Sequence, residues 1–278
     1  MKVSGFTFLN NAVTMGYPFR QSIMSALPIC DEFIVVVGEI EDGTAEAVAA
    51  IGDPKIKIYR STWNPHVWVY AFAQQTNIAL FNCTGDWAFS IQGDEVIHED
   101  DYETLRASMK KHLDDPHVEG LTFDYVHFYG NHNTQAWSPR WYRKEIRIIR
   151  NNLRVIFPTD GLFPILLKSS TKSRYLKAVA SGAKMYHYGW VHVDNYRTGG
   201  QNRPTDYSQV DSKSLRLFCG THPLIMQEIL RLDITEPFAP DPSYKLVARD
   251  KKHRVSMFFE KWFGIDLSKK HFIPVKPT

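Results

Sequence analysis

The sequence predicts an α/β protein, with a mostly parallel sheet flanked by helices and a helical extension at the C-terminus. Three observations lead there. Apolar runs of strand length alternate with helix-length segments through the first hundred residues. One of these runs, EFIVVVG at 32–38, is continuous, as in a strand buried on both faces. From about residue 208 the pattern reads as helices broken by the proline-containing stretch TEPFAPDPS. The expected division is a sheet domain over 1–205 and the extension over 206–278.

The elements follow in order. VSGFTF at 3–8 reads as a strand, and a helix follows over 17–27 with Pro18 in its first turn. After the 32–38 strand, EDGT at 41–44 is a turn and AEAVAAI a helix. KIKIYR at 55–60 alternates as a strand, 67–81 is a helix, and DWAFSI at 86–91 is a fourth strand. Strand and helix in alternation indicate parallel strands with right-handed crossovers. A helix is expected from residue 99 to about 113, and strands at 119–130, 144–151 and 184–192. Between them, NHNTQAWSPRW and VIFPTDGLFPI read as loops, and NYRTGGQNRPTDYS as a mobile one.

Bulk properties exclude several classes. Apolar residues make up 44% and charged residues 23% of the 278, a globular rather than a disordered composition. The start, MKVSGFTFLNNAV, lacks the apolar core of a secretion signal, and no stretch approaches the roughly 20 apolar residues of a membrane span. Cys30, Cys83 and Cys219 are odd in number and lack zinc-ligand spacing, so free buried thiols and a cytoplasmic location are expected. Net charge is +3, but the segment from Lys245 onward has nine Lys or Arg against three acids. Basic charge confined to the tail argues against nucleic acid as a partner. The tail also carries Phe258, Phe259, Trp262 and Phe263. It has two readings: a peripheral contact with an anionic membrane, or a packed helix with its aromatics in the core, the plainer expectation.

Ligands of parallel sheets bind beyond the carboxyl ends of the strands. That rule gathers NN (10–11), GEIEDG (38–43) and QGDE (92–95) at one rim. In the last of these, Asp94 and Glu95 directly follow a strand, where carboxylates can hold a hard cation together with phosphate oxygens. Glu99, Asp100 and Asp101 are different: acids in a first helical turn complement the helix dipole.

Five segments carry a family resemblance. GFTFLNNA, SIMSALPICDEFIVVVGEIEDGT, FAQQTNIAL, DWAFSIQGDEV and HYGW occur in the order seen in family-two glycosyltransferases, and together cover roughly residues 3 to 195. The chain resembles that family, which implies the GT-A fold, a nucleotide-sugar donor, a glycan or lipid-linked glycan acceptor, a divalent metal (Mn²⁺ or Mg²⁺) and inversion at the sugar carbon. On this resemblance Asp94 is the metal ligand with Glu95 in support, and His187 completes the site. His187 also reads as a ring packed among Tyr186, Tyr188 and Trp190. Asn10, Gln92 and Gly93 are expected at the donor. Two departures stand out. Gln92 replaces the first acid of the Asp-x-Asp motif, and Gly38 and Glu39 stand where relatives carry a base-binding Asp, leaving Glu39, Glu41 or Asp42 to substitute.

A general base must take the acceptor proton. Asp160, in FPTDGLF, is the first candidate and also reads as a turn former before Gly161. Glu145, in an alternating strand, is the second, and Asp124 a further acid that could face the acceptor. Trp137 and Trp141, in a polar loop, suit stacking on a sugar; Tyr125, Phe128, Tyr129 and Tyr142 suit either a groove or the core. Arg147 and Arg150 suit phosphates or neighbouring acids. Two other functions remain open: a sugar nucleotidyltransferase, against which the Gly-poor NNAVTMGYP loop argues, and a glycan-binding pseudoenzyme, suggested by Gln92.

Overall fold

The structure, a computed structural model, describes residues 1–39, 41–67, 69–191, 208–230 and 236–275. The first half is built as expected: β1 (Val3–Leu9), α1 (Phe19–Ala26), β2 (Glu32–Gly38), α2 (Thr44–Ala49), β3 (Ile56–Ser61), α3 (Tyr70–Phe81) and β4 (Trp87–Ser90). α3 starts three residues later than its apolar pattern, after a 3-10 turn at Pro65–Val67 that opens on a proline. Then come β5 (Glu95–Ile97), α4 (Tyr102–Lys111), β6 (Gly120–Ala136), β7 (Lys144–Arg150), β8 (Val155–Ile156), β9 (Ile165–Leu167), β10 (Ser173–Tyr175), β11 (Lys177–Val191), β12 (Leu215–Leu217), α5 (Ala248–Phe263) and β13 (Ile273–Pro274).

The main sheet runs β13-β11-β6-β7-β4-β1-β2-β3, with β12 added on β6 and β5 on β11. β1 pairs in parallel with β2 and β4, and β2 with β3. β7 is antiparallel to both β4 and β6, and β6 and β11 are parallel. Alternate residues of the continuous apolar strands feed two cores. Phe33, Val35 and Val37 join Phe19, Ile23, Leu105 and Met109 on one side, while Ile34 and Val36 join Ala79 and Leu80 on the other. All seven residues of β2 are buried, as its unbroken apolar run requires. β3, carrying Lys57 and Arg60, is the edge strand, and Lys57 ties back to buried Glu32 at 2.7 Å.

Four expectations change. The strand expected at 119–130 runs on to Ala136, so NHNTQA is strand rather than loop; β12 pairs with this extension. The short strand at 184–192 is the end of a 15-residue strand. The 155–165 region is not a plain loop, since β8 and β9 form a small sheet with β10. Beyond residue 208 the described residues contain one long helix, α5, with 3-10 turns and short strands around it, because Pro223, Pro237, Pro240 and Pro242 break helical hydrogen bonding. Most of the NYRTGGQNRPTDYS segment lies outside the described residues.

Candidate functional site

A cavity of about 680 Å³ opens beyond the carboxyl ends of β1 and β4. Asn10, Gln92, Gly93, Asp94 and Asp160 all line it, so the loops after β1 and β4 meet at one rim as expected, joined by the turn at Asp160, while the 38–43 loop after β2 does not line it. Phe8, Trp63 and Phe72 form an aromatic wall, with Trp63 and Phe72 edge to face at 5.4 Å. Sequence reasoning passed over that wall. Its one signal was a Trp in the polar turn after the third strand.

The Asp94 turn is held from several sides. Ser22 Oγ donates to the Gln92 carbonyl at 2.7 Å, Ile91 N–H donates to Phe6 O, and Tyr188 N–H donates to Asp94 O at 2.8 Å. Gly93 packs closely on the core, since a Cβ there would fall 2.8 Å from Leu9 Cδ2 and Leu9 would have to shift.

Glu95 departs from its expected role as supporting ligand. It is fully buried, and both of its oxygens are engaged. Arg147 grips them with Nη2 at 2.7 Å and Nε at 3.0 Å, Tyr125 O–H donates at 2.6 Å, and Gln92 N–H donates at 3.0 Å. Glu95 therefore folds the turn that presents Asp94, from the opposite side of the backbone. Arg147 is equally buried, and its Nη1 donates to Leu162 O at 2.9 Å, in the turn that carries Asp160. One guanidinium thus sets the spacing across the cavity between Asp94 and Asp160. Burial opposes the charge by desolvation, but the Glu95 carboxylate overcomes it and holds the Arg147 pKa well above its ordinary value. Of its two expected uses, Arg147 takes the acid. Arg150 takes neither, donating instead to the carbonyls of His112, Leu113, Asp115 and Val118.

His187 sits beside Asp94, its Nε2 3.5 Å from Asp94 Oδ2. Its tautomer follows from a chain of hydrogen bonds. His127 Nε2 lies 2.7 Å from the Tyr142 carbonyl, so that nitrogen carries the proton. His127 Nδ1 is then an acceptor, and it takes the Nδ1–H of His187 at 3.1 Å. The Nε2 lone pair of His187 is left facing the Asp94 carboxylate. Burial, and then His187, hold the His127 pKa well below its ordinary value, so it stays neutral in this role. Gly189 keeps the space beside both donors open: a Cβ there would fall 2.3 Å from Asp94 Oδ2 and 2.9 Å from His187 Nε2. The β6–β11 register shifts between His187 and Trp190, and this irregularity aims the pair at the rim. A carboxylate oxygen and an imidazole nitrogen lone pair 3.5 Å apart are a donor pair that suits a divalent cation. His127 was not among the expected site residues; only its place in an apolar strand opposite His187 would have pointed to it.

The other candidates divide. Asp160 sits in a turn with Thr159 at φ 49° and Gly161 at φ 72°. Its Oδ1 accepts from Leu162 N–H at 3.1 Å, so it both shapes the turn and faces the cavity. Glu145 lies off the cavity. It is fully buried beside His271 Nδ1 at 2.6 Å, because β7 is an interior strand covered on both faces, and its alternation does not mark a surface. Asp124 is a surface partner of Lys144 at 2.6 Å. Glu39 accepts from Thr62 Oγ1 and does not line the cavity, and neither does exposed Glu41. Asp42 is a local brace, accepting from Thr44 N–H and Thr14 N–H at 3.1 Å each, while Thr44 Oγ1 accepts from Ala12 N–H. The EDGT turn thus holds the loop after β1 in place without reaching the ligand space. Asn10 does reach it. Its Oδ1 is buried without a hydrogen-bond partner among the described residues, in room left by Gly38.

Trp141, Tyr125, Phe128, Tyr129 and Tyr142 belong to the interior or pack closely, and half-buried Trp137 lies between Arg143 and Arg216. His98, Glu99 and Asp100 bring ligand atoms within 4.8 Å of one another, but they make a helix start: His98 Nδ1 accepts from Asp100 N–H, Glu99 from Leu224 N–H, and Asp101 from Lys184 N–H.

No family model matches the chain, and no curated protein matches it. Solved structures do. Residues 1–349 of TarS from S. aureus align at 18% identity over 61% of this chain and 52% of that one, with a TM-score of 0.40. A longer TarS structure aligns at 17% over 68% and 37%, TM-score 0.44. Glucosyl-3-phosphoglycerate synthase from Mycobacterium tuberculosis, in complex with Mn²⁺, UDP and phosphoglyceric acid, aligns at 18% over 45% and 43%, TM-score 0.32. The chain thus spans about half or less of the length of each. The architecture is read from the strands themselves: β3-β2-β1-β4-β7-β6-β11 with β7 alone antiparallel, and a cavity beyond β1 and β4. This is a GT-A, Rossmann-like sheet, the fold of nucleotide-diphospho-sugar transferases.

Proposed function

We propose that the protein is a glycosyltransferase moving a sugar from a nucleoside-diphosphate donor to a hydroxyl of a glycan or lipid-linked glycan, with inversion. The observation that carries this reading is the approach of His187 Nε2 to Asp94 Oδ2 at 3.5 Å, with Asp94 and Asp160 lining one cavity. Asp94 and His187 would hold Mn²⁺ or Mg²⁺, whose charge offsets that of the departing diphosphate. Glu95 serves as a positioning residue for Asp94. Asn10 and the Phe8, Trp63 and Phe72 wall offer the donor base an acceptor and a stacking face. Gln92 contributes an amide in place of a charge.

In the transfer, the acceptor oxygen bonds to the anomeric carbon as the bond to the phosphate oxygen breaks, and that electron pair leaves with the diphosphate. Asp160 takes the acceptor proton. Its hydrogen bonds among the described residues fall on Oδ1, which leaves Oδ2 for the proton.

A thermal-shift panel of nucleotide sugars, with and without Mn²⁺, tests the reading. A donor that stabilises the protein only with metal supports it. Slow release of nucleoside diphosphate from that donor separates an enzyme from a binding protein that shares the fold. Full transferase activity in Asp94→Asn, with Mn²⁺ supplied, would overturn the metal assignment.

A further inference from the structure

The C-terminal helix α5 is inside out for a packed helix. The residues that face the body are mostly polar and recur at three- and four-residue intervals. Buried Asp250 accepts from Tyr244 O–H at 2.6 Å, Arg254 pairs bidentately with Asp211 at 2.7 Å, and Glu260 pairs with Arg143. Met257 is the only apolar residue of the helix that is buried. The opposite face carries Val255, Phe258, Phe259, Trp262 and Phe263, and Trp262 is 67% exposed. Gly264, at φ 66°, ends the helix, and exposed Ile265 and Leu267 continue the apolar surface. The expectation of aromatics packed in the core is therefore reversed: ion pairs hold the helix down and its rings point outward.

We infer that this face docks on an anionic lipid bilayer. Charge selects that occupant. Lys251, Lys252, Lys261, Lys269 and Lys270 are exposed around the apolar residues. The three acids of the segment are engaged, with Asp250 and Glu260 facing the body and Asp266 accepting from Ser268 N–H. Aromatic and aliphatic side chains ringed by lysines suit the headgroup boundary, where rings enter the acyl layer and ammonium groups meet lipid phosphates. Two copies of this face placed against each other would oppose lysine to lysine. At 16 residues the helix is about 24 Å long and lies on a bilayer rather than crossing it; no described helix is long and apolar enough to span one. The inference goes beyond the transferase reading and does not depend on it.

Flotation of the full chain with phosphatidylcholine vesicles, with and without phosphatidylglycerol, tests it. Binding should require the anionic lipid, weaken with added salt, and fall at least about tenfold in Phe258→Ser/Trp262→Ser. Lys251→Glu/Lys252→Glu should lose binding while keeping the rings. These residues lie outside the cavity, so an unchanged melting temperature shows that the variants are folded, and no sugar transfer is needed for the readout. Absence of binding to anionic vesicles overturns the inference. So does a concentration-dependent dimer that the Phe258→Ser/Trp262→Ser variant abolishes, which would assign the face to a second copy of the chain.

Discussion

The ion pair between Glu95 and Arg147 offers the sharpest test of how the site is built. Both side chains are buried to 1% exposure or less, and every oxygen of the carboxylate is occupied. Glu95→Gln keeps the shape and removes the charge. The new amide NH₂ must then face Arg147 Nε–H and Gln92 N–H, or Arg147 Nη2–H and Tyr125 O–H, donors against a donor in either orientation. Breaking one half of a buried pair costs about 3–5 kcal/mol. For a domain of this size that is a melting temperature lower by about 10 °C. Arg147→Met should cost a similar amount, and the double variant less than the two together, by about 2 kcal/mol or more of coupling. Urea denaturation of the four proteins reads all three quantities. Arg147 also holds the Leu162 carbonyl, so both single variants should loosen donor binding in a way that added Mn²⁺ does not restore. If Glu95→Gln instead keeps full stability and loses Mn²⁺ affinity, Glu95 is a ligand and its role as a brace for the Asp94 turn is refuted.

Three further outcomes are expected. Gly189→Ala places a methyl 2.3 Å from Asp94 Oδ2, and the carboxylate must swing away; Mn²⁺ affinity by electron paramagnetic resonance should drop at least about tenfold while the melting temperature changes little. His127→Phe keeps an aromatic ring beside Tyr125 but removes the acceptor that fixes the His187 tautomer, so Mn²⁺ affinity should fall by about 10–100-fold; unchanged affinity would show that His187 needs no such partner. His222 is half-buried, and the desolvation lowers its pKa from 6.5 to about 4; its Nδ1 lies 2.9 Å from Tyr188 Oη. The unfolded chain takes up that proton first, so the stability contributed is complete above pH 6.5 and is lost as pH falls toward 4. Buried, neutral His127 adds to the same slope. His222→Gln should flatten the slope without abolishing it, as measured by urea midpoints across that range.

The layout of the first half was legible because its signals are local. A strand buried on both faces needs an unbroken apolar run, and EFIVVVG has one; the turn at EDGT and the helix expected over 67–81, three residues longer at its start than α3, follow from residue type. The acids at 99–101 were likewise separable from Asp94 by their place in a helical turn. Strands defined by distant partners were not legible. β5 is three residues long and exists because His187 and its neighbours pair with it, and the polar end of β6 reads as loop until Asn131 and Thr134 find their bonds with residues 236 and 238.

The same division runs through the site. The amino-acid order by itself determined the parallel strands, the rim where the loops after β1 and β4 meet, and the Asp94 and Asp160 carboxylates that line it. Tertiary structure decided what each neighbouring group does. Glu95 turned from ligand to brace because Arg147, 52 residues on, reaches it, and Glu145 was enclosed by His271, 126 residues on. His127 entered the site only when β6 and β11 paired in register. α5 turned its rings outward because its ion pairs lie on the other side. Spacing along a chain encodes periodicity, but the partner of a buried charge is chosen by contacts far apart in sequence, and burial makes that choice decisive.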